Sequence, residues 1–147
     1  MEQKDKDLLL ADLCARLPYG VKFKWCDNFH VDDYYTLVGI NEGQITGRDV
    51  NQDDCLFFWG KDKIKPYLRP LSSITEEEYD EMFQQLYSAQ EEFFRNCSNT
   101  DTIGKTIAYD WVRYDWLNKN MFDYRGLIPK DLALSTDEFN PYIDNSI

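Results

Sequence analysis

A helix start at Thr75 is the local signal that most constrains how this chain can fold. Glu78 follows Thr75 by three residues, the spacing of a capping box, in which each side chain bonds the other residue's backbone N–H. An apolar stripe then continues at helical spacing for about twenty residues through Tyr79, Met82, Phe83, Leu86, Phe93 and Phe94. The sequence therefore predicts a long amphipathic helix that must pack one face against another layer.

Two further helices are predicted from the same periodicity. The first covers about residues 5–17 and ends at Pro18, and its apolar face would be Leu9, Leu10, Leu13, Cys14 and Leu17. The last covers about residues 102–120, and its buried stripe would be Ile103, Ile107, Trp111, Tyr114, Leu117 and Met121. Helices thus flank the central part of the chain on both sides.

The central part of the chain has the alternation of β-strands. Val21, Phe23 and Trp25 alternate with lysines, and further strands are predicted at about 34–40, 44–46 and 55–59. Residues 61–71 contain two prolines four positions apart, which excludes a helix and predicts an extended or turned connector.

These elements predict an α+β fold. We expect a small antiparallel β-meander of three or four strands packed against about three helices. The length of 147 residues fits a single acidic domain, with a polar tail from about residue 135.

The charge of the chain limits its partners. Asp and Glu number 27 against 16 Lys and Arg, which gives a formal net charge of −11. This charge argues against direct nucleic-acid binding, because phosphate recognition needs clustered Lys and Arg, and it argues against adsorption to anionic membranes too. Good solubility, a basic partner protein and mimicry of a polyanion all remain compatible with this charge.

The cysteines and the first residues predict a cytosolic protein. Cys14, Cys26, Cys55 and Cys97 form no CxxC pair, so we expect buried free thiols and no metal site. The N-terminal segment is highly charged and lacks the apolar run of a signal peptide, and we expect no membrane span.

No catalytic or cofactor motif stands out. His30 is the one histidine, and it lies in a predicted loop without a second imidazole or a thiolate nearby. Asp49, Asp53 and Asp54 share a loop that lacks the calcium-binding pattern, and no phosphate-binding glycine motif occurs. We therefore predict no catalytic residues, no metal and no cofactor. This leaves catalysis open and favours a non-enzymatic role.

Two groups of residues are candidates for binding a partner protein. The first is the acidic face of the helix after Thr75, with Glu76, Glu77, Asp80 and Glu81; no Lys or Arg occurs from residue 71 to 94. A solvated helix surface is the more common explanation of such acids. The second is an aromatic and arginine set of Tyr67, Leu68, Arg69, Trp116, Phe122, Tyr124 and Arg125. Of these, Tyr67, Arg69, Tyr124 and Arg125 are the predicted anchors, although such residues are also common at the edge of a core.

Three blocks of the chain carry a resemblance: DLCARLPYGV (residues 12–21), IKPYLRPLSSIT (residues 64–75), and YDWLN followed by FDYRGLI (residues 114–118 and 122–128). In this order they resemble a family of uncharacterised proteins from gut Bacteroidales and from their prophages and phages. The resemblance implies a cytosolic accessory protein, often on mobile DNA, and it carries no catalytic residues that could be transferred.

Three hypotheses for function follow. The first is a non-enzymatic, phage- or mobile-element-associated protein that binds a host or phage protein, for instance a component of antiviral defence that it would counteract. The second is a protein that binds or hydrolyses a small molecule or nucleotide signal in a pocket between sheet and helices. The third is a structural or virion-associated protein. The oligomeric state is open.

Overall fold

Helices and strands occupy separate stretches of the residues described in this computed structural model, which are 2–26, 34–96 and 102–143. The helices are α1 (Gln3–Arg16), α2 (Glu76–Asn96) and α3 (Thr102–Lys119). The strands are β1 (Lys22–Trp25), β2 (Tyr35–Asn41), β3 (Gln44–Arg48), β4 (Asp54–Phe58), β5 (Ile64–Leu68) and β6 (Leu134–Ser135). The predicted α+β class is confirmed.

One sheet holds all six of these strands, in the order β4-β3-β2-β1-β5-β6. Strands β1 to β4 form the predicted antiparallel meander, β5 returns antiparallel beside β1, and β6 pairs parallel with β5. The sheet thus has more strands than the three or four predicted, because two come from segments interpreted as connector and tail.

The strand β5 lies within the segment predicted as a proline-bounded connector. All five of its residues are buried. The Cys26 N–H donates to the Lys63 carbonyl, so by alternation the nitrogen of Pro66, which pairs with Phe23, faces away from β1. Its missing N–H therefore costs no hydrogen bond to β1, which is why a proline is tolerated inside the sheet.

Two hydrophobic clusters form the interior. The larger lies between the sheet, α1 and the C-terminal segment; its fully buried members include Leu9, Leu13, Val21, Phe23, Leu37, Ile45, Leu68 and Leu127. The smaller lies beneath the pair of helices α2 and α3 and consists of Met82, Leu86, Trp116, Leu117 and Phe122.

Several residues predicted to be buried lie at the surface. Tyr79 and Phe83 on α2, and Trp111 and Tyr114 on α3, are exposed, whereas Trp116 is buried. The buried side chains of α2 and of α3 form a narrow row along each helix, and these two rows face each other and Phe122. An aromatic side chain one position outside such a row is therefore exposed to solvent. The prediction from sequence periodicity therefore placed the wrong edge of each apolar stripe in the core.

The cysteines are free but not deeply buried. Cys14, Cys26 and Cys55 form no disulfide, and Cys14 is exposed because the inward face of α1 is centred on Leu9 and Leu13. Its predicted burial was therefore wrong. Cys97, His30 and the loop predicted at 27–33 lie outside the described residues, as do the side chains of Phe93, Phe94, Ile103 and Ile107.

The polar tail packs onto the sheet as far as the structure describes it. The Phe139 ring contacts Tyr67 at a centroid distance of 5.6 Å. The Tyr142 hydroxyl accepts the Lys22 N–H at 2.9 Å and donates to the Tyr67 carbonyl at 2.8 Å, and burial raises the pKa of this phenol. These aromatic anchors, which the polar composition conceals, attach the segment to β1 and β5.

Candidate functional site

The start of α2 sets the orientation of the predicted acidic face. The Thr75 N–H donates to Glu78 Oε1 at 3.2 Å, and the Glu78 N–H donates to Thr75 Oγ1 at 3.1 Å, which confirms the capping box. The acids Glu76, Glu77, Asp80 and Glu81 all lie exposed on this helix. Glu78 differs from them, because its carboxylate is used within the fold.

An aromatic stripe runs along α2 beside these acids. Tyr79, Phe83 and Tyr87 follow one another at intervals of four residues, and they are 49, 48 and 59% exposed. The first two rings lie 6.1 Å apart between centroids. Glu76 and Asp80 each precede a stripe residue by three positions and so lie next to the stripe on the helix surface. We call these three aromatics and the four predicted acids the α2 face.

The other side of α2 borders a groove shared with α3. The groove has a volume of about 390 Å³, and Trp111, which is 70% exposed, lies in its wall. Glu81, Glu92 and Asp115 also line it. The acids of α2 therefore lie between two exposed apolar regions.

Arg69 connects β5 to the first turn of α2. Its two terminal nitrogens donate to the two carboxylate oxygens of Glu78 at 2.6 and 2.8 Å, and its guanidinium lies 4.1 Å from the centroid of the Phe122 ring. Its backbone N–H donates to the Met121 carbonyl at 2.7 Å. The predicted anchor Arg69 is thus engaged within the fold, and Tyr67 is only 5% exposed.

A buried ion pair joins α1 to the segment after α3. Arg16 Nε donates to Asp12 Oδ2 at 2.9 Å, and both side chains are fully buried. Arg16 Nη2 also donates to the Phe122 carbonyl at 2.6 Å. Burial raises the pKa of Asp12, while the charge and hydrogen bonds of Arg16 act in the opposite direction.

The other two predicted anchors border this ion pair. Arg125 Nε lies 3.7 Å from Asp12 Oδ1, and the Arg16 guanidinium lies 5.4 Å from the centroid of the Tyr124 ring. The Tyr124 hydroxyl donates to Asn118 Oδ1 at 2.8 Å and accepts from Arg125 Nη2 at 3.0 Å. Both residues are partly buried, so their polar atoms serve internal contacts.

The three blocks that carry the family resemblance therefore meet in one place. Asp12 and Arg16 belong to the first block, Arg69 to the second, and Tyr124 and Arg125 to the third. Phe122 links them, because it contacts both Arg16 and Arg69. Of the predicted aromatic and arginine set, Phe122, Tyr124 and Arg125 contact the Asp12–Arg16 pair, whereas Tyr67 packs against Phe139. The ion pair itself was not predicted, although its i,i+4 spacing on the Leu9–Leu13 side of α1 was a usable signal.

The groups considered for metal chemistry have structural roles where the structure describes them. Asp49 Oδ1 accepts the backbone N–H groups of Asn51 and Asp53 at 2.9 Å each, and Asp54 pairs with Arg48. Within residues 2–26, 34–96 and 102–143, no three His, Cys, Asp or Glu side chains cluster as metal ligands would. Among the same residues, no helix combines the length and apolar character needed to cross a bilayer.

Comparisons with protein-family models, curated proteins and solved structures gave no match to this chain. The resemblance described above and the partner-binding role of the predicted residues therefore stay predictions.

Proposed function

We propose that this chain is an interaction protein whose α2 face binds a segment of a partner protein that carries both basic and apolar side chains. The observation that supports this most strongly is the exposed stripe of Tyr79, Phe83 and Tyr87 beside Glu76 and Asp80. Exposed aromatics in a row are residues that anchor protein interfaces when a partner removes them from water.

Charge complementarity indicates which kind of partner segment would bind the α2 face. No Lys or Arg occurs from residue 71 to 94, so the acids of the α2 face have no basic neighbour within the helix itself. A segment that places Lys or Arg over Asp80 and an apolar side chain on Phe83 would satisfy both parts of the surface. The acids would then mainly accelerate association and select the partner, while the aromatics would supply most of the affinity.

The support beneath α2 favours binding without rearrangement. Thr75 and Glu78 close the helix start, and the two hydrogen bonds from Arg69 attach that turn to β5. Met82 and Leu86 are buried on the inward side. A helix held in this way has little backbone entropy left to lose on binding.

The biological setting of the proposal comes from the family resemblance. On that basis the chain acts as a phage- or mobile-element-associated protein without an enzymatic role, and its partner is a host or phage protein. A component of antiviral defence is one such partner. A structural or virion-associated role would use the same surface for assembly, and oligomerisation of the pure protein would distinguish it.

Photo-crosslinking at two matched positions tests the proposal. A benzophenone amino acid would replace Phe83 on α2 or Phe58 on β4; both native side chains are 48% exposed. We expect position 83 to crosslink a discrete partner in a Bacteroidales lysate and position 58 to give none. The crosslinked peptide, identified by mass spectrometry, should contain Lys or Arg beside apolar residues.

Charge variants give the second arm of the test. Asp80→Lys with Glu81→Lys changes the α2 face beyond the first helical turn, where the helix dipole matters little. Glu42→Lys with Glu138→Lys changes net charge equally at exposed sites elsewhere. Capture should fall at least tenfold in the first variant and stay unchanged in the second. Equal capture by both, or a partner peptide without basic residues, would contradict the proposal.

A further inference from the structure

A second candidate site lies between α1 and the turn that follows β4. Here a cavity of about 340 Å³ is lined by Lys6, Leu9, Trp59, Gly60, Lys61, Asp62, Lys63 and Ile64. Leu9 and Ile64 belong to the buried core, so they close the cavity on its inner side. The volume falls in the range of small-molecule sites, about 300–1,000 Å³.

The cavity concentrates positive charge in an acidic protein. Lys63, which also interacts with Asp131, lines it with Lys6 and Lys61, and the lining holds a single carboxylate, that of Asp62. That carboxylate accepts the Phe58 backbone N–H at 2.7 Å, so it has a structural partner of its own. Among the described residues, Lys6 and Lys61 have no carboxylate within 4.0 Å, whereas the neighbouring Lys65 and Lys130 pair with Asp131 and Asp5.

The backbone of the turn leaves room at the ammonium group of Lys6. Gly60 has a φ of +88°, and a Cβ atom at this position would lie 3.8 Å from Lys6 Nζ. Any side chain there would be strained by the positive φ. The turn at Gly60 therefore lies directly beside the ammonium group of Lys6.

Trp59 adds an aromatic side chain to the lining of the cavity. It packs partly against the core, so part of its surface remains accessible next to the lysines. An indole can stack on the ring of a ligand, and base–aromatic stacking contributes about 1–3 kcal/mol per base. Lysine ammonium groups bind phosphate oxygens as point charges. The same cavity thus offers both an aromatic and an anionic contact.

We propose that this cavity binds a small phosphate ester that carries an aromatic ring, of which a nucleotide is the simplest case. The phosphates would contact Lys6 and Lys61, and the ring would stack on Trp59. This site is independent of the α2 face, because none of the residues that line it belongs to α2. The cluster is small enough to suit a free nucleotide rather than a nucleic-acid chain.

Titration with ADP, adenosine and inorganic phosphate tests the proposal by calorimetry and tryptophan fluorescence. ADP should bind in the micromolar to low millimolar range, at least tenfold more tightly than adenosine or phosphate alone, and weaken with added salt. No binding of ADP at several millimolar would overturn the proposal. Phosphate binding as tight as ADP binding would overturn the stacking contact.

Three variants locate the site. Lys6→Ala with Lys61→Ala should weaken ADP binding at least tenfold, and Trp59→Leu at least fivefold. Lys119→Ala, which alters a different cavity of about 470 Å³, should leave it unchanged. Circular dichroism would verify folding, and should Trp59→Leu not fold, the lysine variant alone decides. Loss of binding in Lys119→Ala, or retention in the lysine pair, would assign ADP elsewhere and overturn the proposal.

Discussion

Arg69 donates hydrogen bonds to both carboxylate oxygens of Glu78, at 2.6 Å to Oε2 and 2.8 Å to Oε1. The same Oε1 accepts the Thr75 N–H, so one carboxylate both caps α2 and attaches it to β5. The hydrogen bonds from Arg69 lower the pKa of Glu78 from 4.5 to about 2, although partial burial acts against them. The position of the α2 face thus depends on an ionised side chain.

Acid should weaken the attachment of α2. Because the pKa of Glu78 is depressed in the folded state, its stabilising effect is complete above about pH 4.5 and is lost as pH falls towards 2. Glu78→Gln should lower the free energy of unfolding at pH 7 by about 1–2 kcal/mol, since a charge-assisted pair is lost. Urea unfolding at pH 7 and pH 3 measures this, and the difference between the two proteins should shrink at pH 3. Glu76→Gln is the control; an unchanged difference at both pH values would refute the role of ionised Glu78.

The buried Asp12–Arg16 pair should show strong coupling. Asp12→Ala leaves the Arg16 charge buried, and we expect a loss of about 3–5 kcal/mol in the free energy of unfolding. The double variant Asp12→Ala with Arg16→Ala should cost less than the sum of the single variants by about 1 kcal/mol or more. Urea unfolding of the four proteins completes the cycle, with Asp12→Asn as a milder substitute if folding fails. Additive losses would mean that the two charges do not interact.

Gly47 should not tolerate a side chain, whereas Gly39 should. A Cβ atom at Gly47 would lie 2.6 Å from Phe23 Cζ and 2.9 Å from Tyr35 Cβ, but at Gly39 its nearest neighbour would be Thr46 Cβ at 3.7 Å. Gly47→Ala should therefore destabilise the protein by about 1–3 kcal/mol through overpacking. Gly39→Ala should be neutral or slightly stabilising. Thermal unfolding of both variants provides the comparison, and similar melting temperatures would count against this packing.

The two tryptophans of α3 should differ sharply in their contribution to stability. Trp116 is 2% exposed and stacks on Phe122 with ring centroids 5.6 Å apart, whereas Trp111 is 70% exposed. Trp116→Ala should cost about 3–5 kcal/mol, and Trp111→Ala less than about 1 kcal/mol. Chemical unfolding measures both losses. A larger loss of stability for Trp111→Ala than for Trp116→Ala would instead support the buried stripe predicted from the sequence, which contains Trp111.

Partner capture and nucleotide binding should respond to different variants. Asp80→Lys with Glu81→Lys should reduce crosslinking to the partner at least tenfold and leave ADP affinity unchanged, because these residues lie outside the lysine cavity. Lys6→Ala with Lys61→Ala should have the opposite effect. Parallel measurement on both proteins distinguishes two sites from one, and a joint loss in either variant would mean that the sites are coupled.

The sequence by itself determined the local elements of this protein. The Thr75–Glu78 capping box, the strand alternation after Val21 and the helical stripes all depend on contacts between residues close in the chain. The outward position of Glu76, Glu77, Asp80 and Glu81 follows from the same periodicity. Short-range spacing is enough for these features, because an element's geometry fixes which neighbours share a face.

Tertiary structure alone decided what those elements pack against. Because of the tertiary packing, Ile64–Leu68 is a buried strand and Asp12 and Arg16 are buried, whereas Phe83 and Trp111 remain exposed. In each case the deciding partner is distant in sequence: β1 for β5, Met82 and Leu86 of α2 for α3, and the Phe122 carbonyl for Arg16. Sequence periodicity predicts which face of a helix is buried, but with an error of one residue position. Only the packing of distant segments decides which edge of an apolar stripe lies in the core.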